Sequence, residues 1–527
     1  MHVPLTPLRC LLRALEFYPN KIGVVSGERR YTYAQFGERC RRMAAGFLAQ
    51  GAGPGDRIGL LSFNSNVLLE SYFAAPMVGC IVMPLNVRLH QSELEVILRH
   101  AQPRILLYEE DFRAAVEYLR TVVPETSFVA IEGSEAEPTL ASLMANQPLD
   151  LPELMAIDET EIAELFYTSG STGQPKGVML SHRSLYLHAL SLAGCLDHGD
   201  TQVILHTIPL FHANGWGFPQ YATMFGLKQV MVRRFEPLTV FRLIEQERAS
   251  TMILVPTMAA ALLGCAERAT FDLSSLKQII IGGAAASPEL VARLEACFPA
   301  CSVMAGYGLT ETAPVISTAR SKSTISFADD DARRKFSSSA GWPVPGVEVR
   351  VIDERGAEVA RDGSTVGEVA VRGDNVMAGY YREPQLTRDA LAGGWLRTGD
   401  MAVWDEERCL RVVDRKKDII ISGGENIASI EVEHAIQAHP EVVECAVVAA
   451  PDPRWGEMPV AIVVTRDPST ITAEQLLEWA GKSVARFKLP KQFVLQTEPL
   501  PKGGTGKVLK QQLRERFWSG KEKRIQG

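Results

Sequence analysis

Cysteine occurs nine times and never as a Cys-x-x-Cys pair, and no histidine lies near the closest two, Cys297 and Cys301. That excludes a disulfide framework and a zinc ribbon, and it fits reduced thiols in a cytoplasm. Charge of one sign is also scarce. The 55 basic and 62 acidic side chains leave a net charge of −7, which argues against a nucleic-acid binder that works by neutralising phosphates. The most apolar stretch, Thr251 to Ala266, is too short to cross a bilayer and contains Pro256. No apolar core with a cleavage site stands at the start, and Leu8 to Phe17, with Arg9 and Arg13, reads as an ordinary first helix rather than a transit peptide. The final Ile525-Gln526-Gly527 is not a peroxisomal address. No internal repeat is visible. What is left is a soluble cytoplasmic protein of 527 residues, 46% apolar and 22% charged, too long for one hydrophobic core.

The Walker phosphate signature is missing too. Lys176 lies between Pro175 and Gly177, Gly506-Lys507 is followed by Val508, and Gly481-Lys482-Ser483 has Leu476 where the upstream glycine belongs. What is present is Tyr167 to His182, in which Thr168, Ser169, Gly170, Ser171, Thr172 and Gly173 run together ahead of Pro175-Lys176-Gly177. It follows an apolar segment, Ile162 to Phe166, that reads as a short strand. It precedes Ser181, a candidate cap for a helix. A loop of glycines and hydroxyls lets backbone N–H groups converge on an anion, and Lys176 adds a mobile positive charge. The stretch reads as a phosphate loop; a bare surface loop of small residues is the alternative.

Around it the chain alternates. Helical patterns at Phe36–Gln50, Asn66–Val78 and Glu93–His100 interleave with strand patterns at Arg57–Ser62, Gly79–Met83 and Arg104–Tyr108, a βαβ rhythm of a doubly wound α/β domain. Strands follow at Gln202–Ile208, Gln229–Val232, Met252–Val255, Gln278–Ile281 and Ser302–Met304, each ending in a Gly, Pro, His or Ser cluster. In such folds ligands sit at the carboxyl ends of strands. Ser321 to Ser339 is polar and reads as a mobile surface loop. From Gly341 short β-type segments take over, and the basic run 414–418 interrupts them. The expected division is a large N-terminal α/β domain with a β-rich closing segment over 1–413, a hinge at 414–418, and a small α+β lid over 419–527.

These motifs together resemble the adenylate-forming superfamily of acyl-CoA synthetases, luciferases and peptide-synthetase adenylation domains. The likeness recurs along nearly the full length and in the family's order. Pro209 to Gly215, with Phe211, His212 and Asn214, resembles the acyl-pocket motif; Trp216 matches a gate tryptophan of fatty acyl-CoA synthetases, with Gly282 and Gly306 lining the same pocket. Gly283, Ala284 and Ala285 resemble the loop over which adenine lies. In Tyr307-Gly308-Leu309-Thr310-Glu311-Thr312 the resemblance implies that Tyr307 stacks on adenine, Thr310 contacts the α-phosphate and Glu311 holds Mg²⁺. Asp400 would take the ribose hydroxyls and Arg415 the ribose or phosphates. Ser422, Gly423, Gly424 and Glu425 resemble the loop lining the pantetheine tunnel, Lys507 on its glycine loop the catalytic lysine, and Lys417 the hinge on which the lid turns.

The resemblance implies a carboxylic acid, most simply a fatty acid, activated by Mg·ATP to an acyl-adenylate with loss of pyrophosphate, then transferred to coenzyme A with release of AMP. ATP, Mg²⁺ and coenzyme A are the expected cofactors. A small carboxylic acid and coenzyme A are the expected partners, with a homodimer left open. Aryl acids, and transfer to an amine or carrier protein, are the alternatives; the thiol acceptor is favoured because no carrier domain follows Gly527 and the full lid is present. A non-catalytic nucleotide binder would be expected to lack Lys507 or Glu311, and both are there.

Overall fold

The computed structural model describes residues 2–133, 138–145, 150, 154–169, 175–196, 199–423, 425–503 and 507–518. Among the described residues the βαβ rhythm builds two largely parallel sheets that share one core. The seven-stranded sheet runs Gly379–Tyr380, Pro175–Ser181, Ile162–Ser169, Ile81–Pro84, Arg57–Leu61, Ile105–Tyr108 and Ser127–Ala130, with only Pro175–Ser181 running against the others. The nine-stranded sheet has a parallel centre, Ser302–Gly308, Gln278–Ile281, Thr251–Leu254, Val203–His206, Lys228–Met231 and Ile22–Ser26, with antiparallel strands at both edges.

The helices between the sheets are the ones whose sequence shows little polar face. All of Asn66–Met77 is buried, started by Ser65, whose hydroxyl accepts from the Leu68 N–H at 3.2 Å. Tyr33–Ala49 packs beside it behind a reciprocal Thr32/Gln35 cap, and the Phe36 and Phe73 rings meet edge-to-face at 5.7 Å. Ser181 does cap the helix His182–Cys195 that follows the phosphate-loop hairpin.

Beyond these sheets an antiparallel four-stranded sheet, Glu348–Ile352, Gly367–Arg372, Leu396–Trp404 and Leu410–Arg415, closes the large domain around Trp404, which is 2% exposed. The smaller unit has its own five-stranded sheet and its own core of Ile420, Ile427, Val432, Ile436, Val447 and Val463. Its last helix, Lys510–Trp518, is tied back to the connection between the two units: Arg514 lies 3.3 Å from Asp418, and Lys510 donates to Ser429 Oγ at 2.6 Å while lying 2.8 Å from Glu433. Ser429 Oγ in turn donates to the buried Asp414 carboxylate at 2.6 Å. The segment that follows Lys507 is therefore fastened to the connection.

One expectation fails. The polar stretch Ser321 to Ser339 contains the helix Asp330–Ser337 instead of being loop throughout. Asp329 caps it, Arg333 and Arg334 both pair with Glu295 at 2.6 and 3.2 Å, and Phe336 packs on Trp342 with ring centroids 4.6 Å apart. The ion pairs reach Glu295, 38 residues upstream of Arg333, and no hydrophobic periodicity announces the helix. No helix among the described residues is long and apolar enough to cross a membrane, and all nine cysteines are free.

Candidate active site

Carboxyl ends of the parallel strands of both sheets converge where the sequence motifs lie. The strand Ile162–Ser169 turns back as Pro175–Ser181, with Thr168 opposite Lys176. Gly170, Ser171, Thr172 and Gly173 lie outside the described residues, as does Gly424. Lys176 is carried on the returning strand rather than on a free loop, and its Nζ sits 5.5 Å from the centroid of the Tyr380 ring. The Tyr380 hydroxyl donates to Glu311 Oε1 at 2.9 Å. One aromatic ring thus joins the candidate phosphate-binding lysine to the candidate metal ligand. Tyr380 went unread in the sequence, because its only signal is a Gly-Tyr-Tyr run in a polar turn.

Glu311 stands on a short turn, Thr310–Thr312, at the end of the strand Ser302–Gly308. Gly308 is obligatory there: a Cβ would collide with the Pro314 carbonyl. Thr312 closes the turn by donating to the Pro314 carbonyl at 2.6 Å, while Thr310 is buried beside it. Upstream, the Tyr307 hydroxyl donates to Asp400 Oδ2 at 2.8 Å, and burial next to that carboxylate pushes the phenol well above its usual range. Asp400 faces Arg415 across a ladder, with Arg415 Nε 2.9 Å from Asp400 Oδ1. The Asp400 carboxylate raises the guanidinium further. Glu368, also unread in the sequence, sets the approach to Asp400. It accepts the Gly399 N–H at 3.2 Å and pairs with Lys416 at 3.1 Å.

Lys507 comes to this cluster from the smaller unit. Its ammonium is pushed down to about 8, first by burial and next by the Arg415 charge, while Asp400 and Glu311 pull the other way. His212 is pushed down to about 4 by burial and by Lys507, so its ring is neutral at ordinary pH. Lys507 therefore lies within electrostatic reach of Arg415, Asp400, Glu311 and His212, although the five come from separated segments. Ser422, Gly423 and Glu425 are not in this group. They sit at the surface of the smaller unit, where the Gly423 N–H donates to the Trp455 carbonyl at 2.8 Å.

The acyl-pocket motif has an unusual backbone. Ala213, Asn214, Gly215, Trp216 and Gly217 all have positive φ, at 43°, 51°, 50°, 68° and 76°. Left-handed helical geometry costs about 1–2 kcal/mol for each residue that carries a Cβ, so a buried turn of this kind needs strong external support. It lays the Trp216 indole against Gly282 and Gly283; a Cβ at Gly282 would collide with the ring and lie 2.8 Å from the Gly306 carbonyl. Trp216, Gly282 and Gly306 are thus in one wall, with Phe211 and Asn214 buried nearby, while Ala284 and Ala285 are exposed at its edge.

A magnesium ion fits the donor set in one way only. No group of three or more His, Cys, Asp or Glu side chains able to hold a metal occurs among the described residues, so Glu311 would act as a lone protein carboxylate. Magnesium commonly binds through one carboxylate, its own waters and substrate phosphates.

Comparison with known proteins agrees with this geometry. The AMP-binding enzyme family model matches residues 11–381, and the model of its C-terminal domain matches 431–507. A long-chain-fatty-acid–CoA ligase of Thermus thermophilus is 39% identical over 93% of this chain and 90% of its own length. The peroxisomal benzoate–CoA ligase of Arabidopsis thaliana is 34% identical over 98% of this chain and 93% of its length. Among solved structures, the amide bond synthetase McbA from Marinactinospora thermotolerans superposes with a TM-score of 0.85 at 28% identity, covering 97% of this chain and all of that one (100%).

Replacing Asp400 by Ala removes the acceptor that aims both Tyr307 and Arg415. With about 1.5–3 kcal/mol for a charged hydrogen bond, AMP affinity measured by calorimetry should fall roughly ten- to a hundredfold. Unchanged affinity would detach this trio from the nucleotide.

Proposed function

Because the chain belongs to the AMP-binding enzyme family, we propose that it activates a carboxylic acid with ATP and passes the acyl group to coenzyme A. The observation that carries this reading is the meeting of Lys507 with Glu311, Asp400, Arg415 and His212. It puts a mobile cation beside an acidic and an aromatic nucleotide-binding set, at strand ends where an acyl group and an α-phosphate could lie together.

In the first step a carboxylate oxygen attacks the α-phosphorus in line, and the bond to the β-phosphate oxygen breaks. The backbone of the 168–173 loop and Lys176 hold the phosphates, Asp400 and Arg415 the ribose, and Tyr307 the adenine. Lys507 carries positive charge to the oxygens where negative charge shifts during transfer. This asks for positioning and charge neutralisation rather than for covalent chemistry by the protein. Magnesium held by Glu311 would neutralise the departing pyrophosphate. In the second step the coenzyme A thiolate adds to the acyl carbonyl and AMP leaves, a pose in which the 422–425 segment would line the pantetheine arm in place of Lys507.

Because both segments belong to one lid, it must turn between steps. We place the division at 1–413 and 419–527, with Lys417 in the 414–418 hinge as the pivot. In support, the large domain's last ladder ends at Arg415 and the lid's sheet opens at Ile420. The nine free cysteines favour a cytoplasmic location.

The acid is taken to be aliphatic, of medium or greater length, on the strength of Trp216 and of the likeness to a long-chain ligase. Pyrophosphate release measured against a panel of aliphatic and aryl acids, with and without coenzyme A and with amines, tests this. The reading requires acyl-CoA and AMP from an aliphatic acid; amide products without acyl-CoA, or turnover of aryl acids alone, would overturn it.

Trp216→Ala asks what the indole does. As a gate, its loss should raise release of AMP without coenzyme A while long acids are still turned over. As a floor, its loss should lengthen the preferred acid, since each added methylene gains about 0.8 kcal/mol, roughly fourfold, on burial. If neither quantity moves, Trp216 is ordinary core.

A further inference from the structure

Glu164 lies on the strand that leads into the phosphate loop, between Val82 on one side and Leu180 on the other, and it is completely buried. Among the described residues no cation pairs with it. Its Oε1 accepts from Asn214 Nδ2 at 2.9 Å and from Gln220 Nε2 at 2.7 Å. The first of these belongs to the left-handed turn at Ala213–Gly217, and the second follows it on the same helix. A single carboxyl oxygen therefore grips the turn from inside and from beyond its end. Its approach is gripped by other groups: Tyr72 donates to the Leu210 carbonyl at 2.7 Å, and Asn64 accepts from the Leu210 N–H at 2.7 Å. Among the described residues the other side-chain oxygens of this network, Asn214 Oδ1 and Gln220 Oε1, find no partner, and neither does Glu164 Oε2.

We infer that Glu164 is a positioning residue of the acyl pocket: by bridging Asn214 and Gln220 it holds the left-handed turn that sets Trp216 against Gly282. The inference rests on the reading of this wall as the acyl site. It explains why a costly backbone persists at this point, since an acceptor fixed on a central strand is presented to the two amides that flank the turn's end. It also bears on the orphaned atoms: a hydrogen on Glu164 Oε2 turns one of the three acceptors into a donor. Burial pushes this carboxyl up to about 8, against the pull of Asn214 and Gln220, so the neutral acid is the form present at neutral pH. Tyr72, the other titratable group facing it, is likewise held neutral by burial.

A neutral acid and an amide offer the same pattern of one acceptor and one donor, whereas an alkyl group offers neither. Glu164→Gln should therefore keep pyrophosphate release with octanoate, dodecanoate and benzoate close to wild type. Glu164→Leu should raise the KM for the acid about tenfold or more while the KM for MgATP moves by about twofold at most, as expected for a lost interaction confined to one substrate's pocket. Gln220→Met, which leaves the strand untouched, should shift the same constant in the same direction and serves if the leucine variant does not fold. Crystal structures give a readout that does not need activity. Residues 213–217 should keep positive φ in the glutamine variant and leave that region in the leucine variant. A left-handed turn intact without the carboxyl, a rise in both KM values alike, or a glutamine variant as damaged as the leucine one would each overturn the inference. Wild-type protein that turns over none of the three acids would instead count against the acyl-site reading, and the crystallographic comparison would still decide the role of Glu164.

Discussion

A lysine entering a crowded site must lose water beside an arginine, and the surrounding carboxylates have to offset that. Lys507 is in this position. Burial and Arg415 lower its affinity for a proton, Asp400 and Glu311 raise it, and the balance leaves the ammonium near 8. A lysine so balanced is charged at neutral pH but weakly anchored, with no close ion pair to it among the described residues. That is the property required of a group that serves one step and withdraws for the next. Asp400 is itself held by Tyr307 and Arg415, and Glu311 by Tyr380, so the placement of these carboxylates does not depend on the lysine.

The wall around Trp216 solves a different problem. Positioning the indole of Trp216 across two glycines takes a backbone that residues with a Cβ resist, and the fold meets the cost with buried polar contacts rather than with apolar packing alone. Glu164 reaches this short segment from the other sheet, Tyr72 from the helix Asn66–Met77 and Asn64 from the loop that precedes it. The two sheets are thus joined at the site by hydrogen bonds as well as by their common core, which makes the pocket's shape depend on residues far from it in sequence.

What could be read without coordinates follows from this. Strands buried on both faces announce themselves by apolar runs, and Gln278–Ile281 lies where the pattern put it. Motifs such as Tyr307 to Thr312 were legible because several chemical requirements sit within a few residues. The helix Asp330–Ser337 was not, since ion pairs to Glu295 and a stack on Trp342 hold it instead of a hydrophobic stripe. Glu164, Glu368 and Tyr380 escaped notice for a related reason. Each is an isolated polar residue in or beside a strand, and its meaning lies in a partner distant in sequence, 50 positions away for Glu164, 48 for Glu368 and 69 for Tyr380.

The central claim is that Lys507 belongs to the adenylation pose alone. The direct measurement separates the two half-reactions of Lys507→Ala: acid-dependent pyrophosphate exchange, and thioester formation from supplied acyl-adenylate and coenzyme A. Loss of a positioned charge at a developing transition state commonly costs about 10²- to 10³-fold, so exchange should fall by at least that much while thioester formation stays near the wild-type rate. An equal loss in both half-reactions, or none in exchange, would contradict the account.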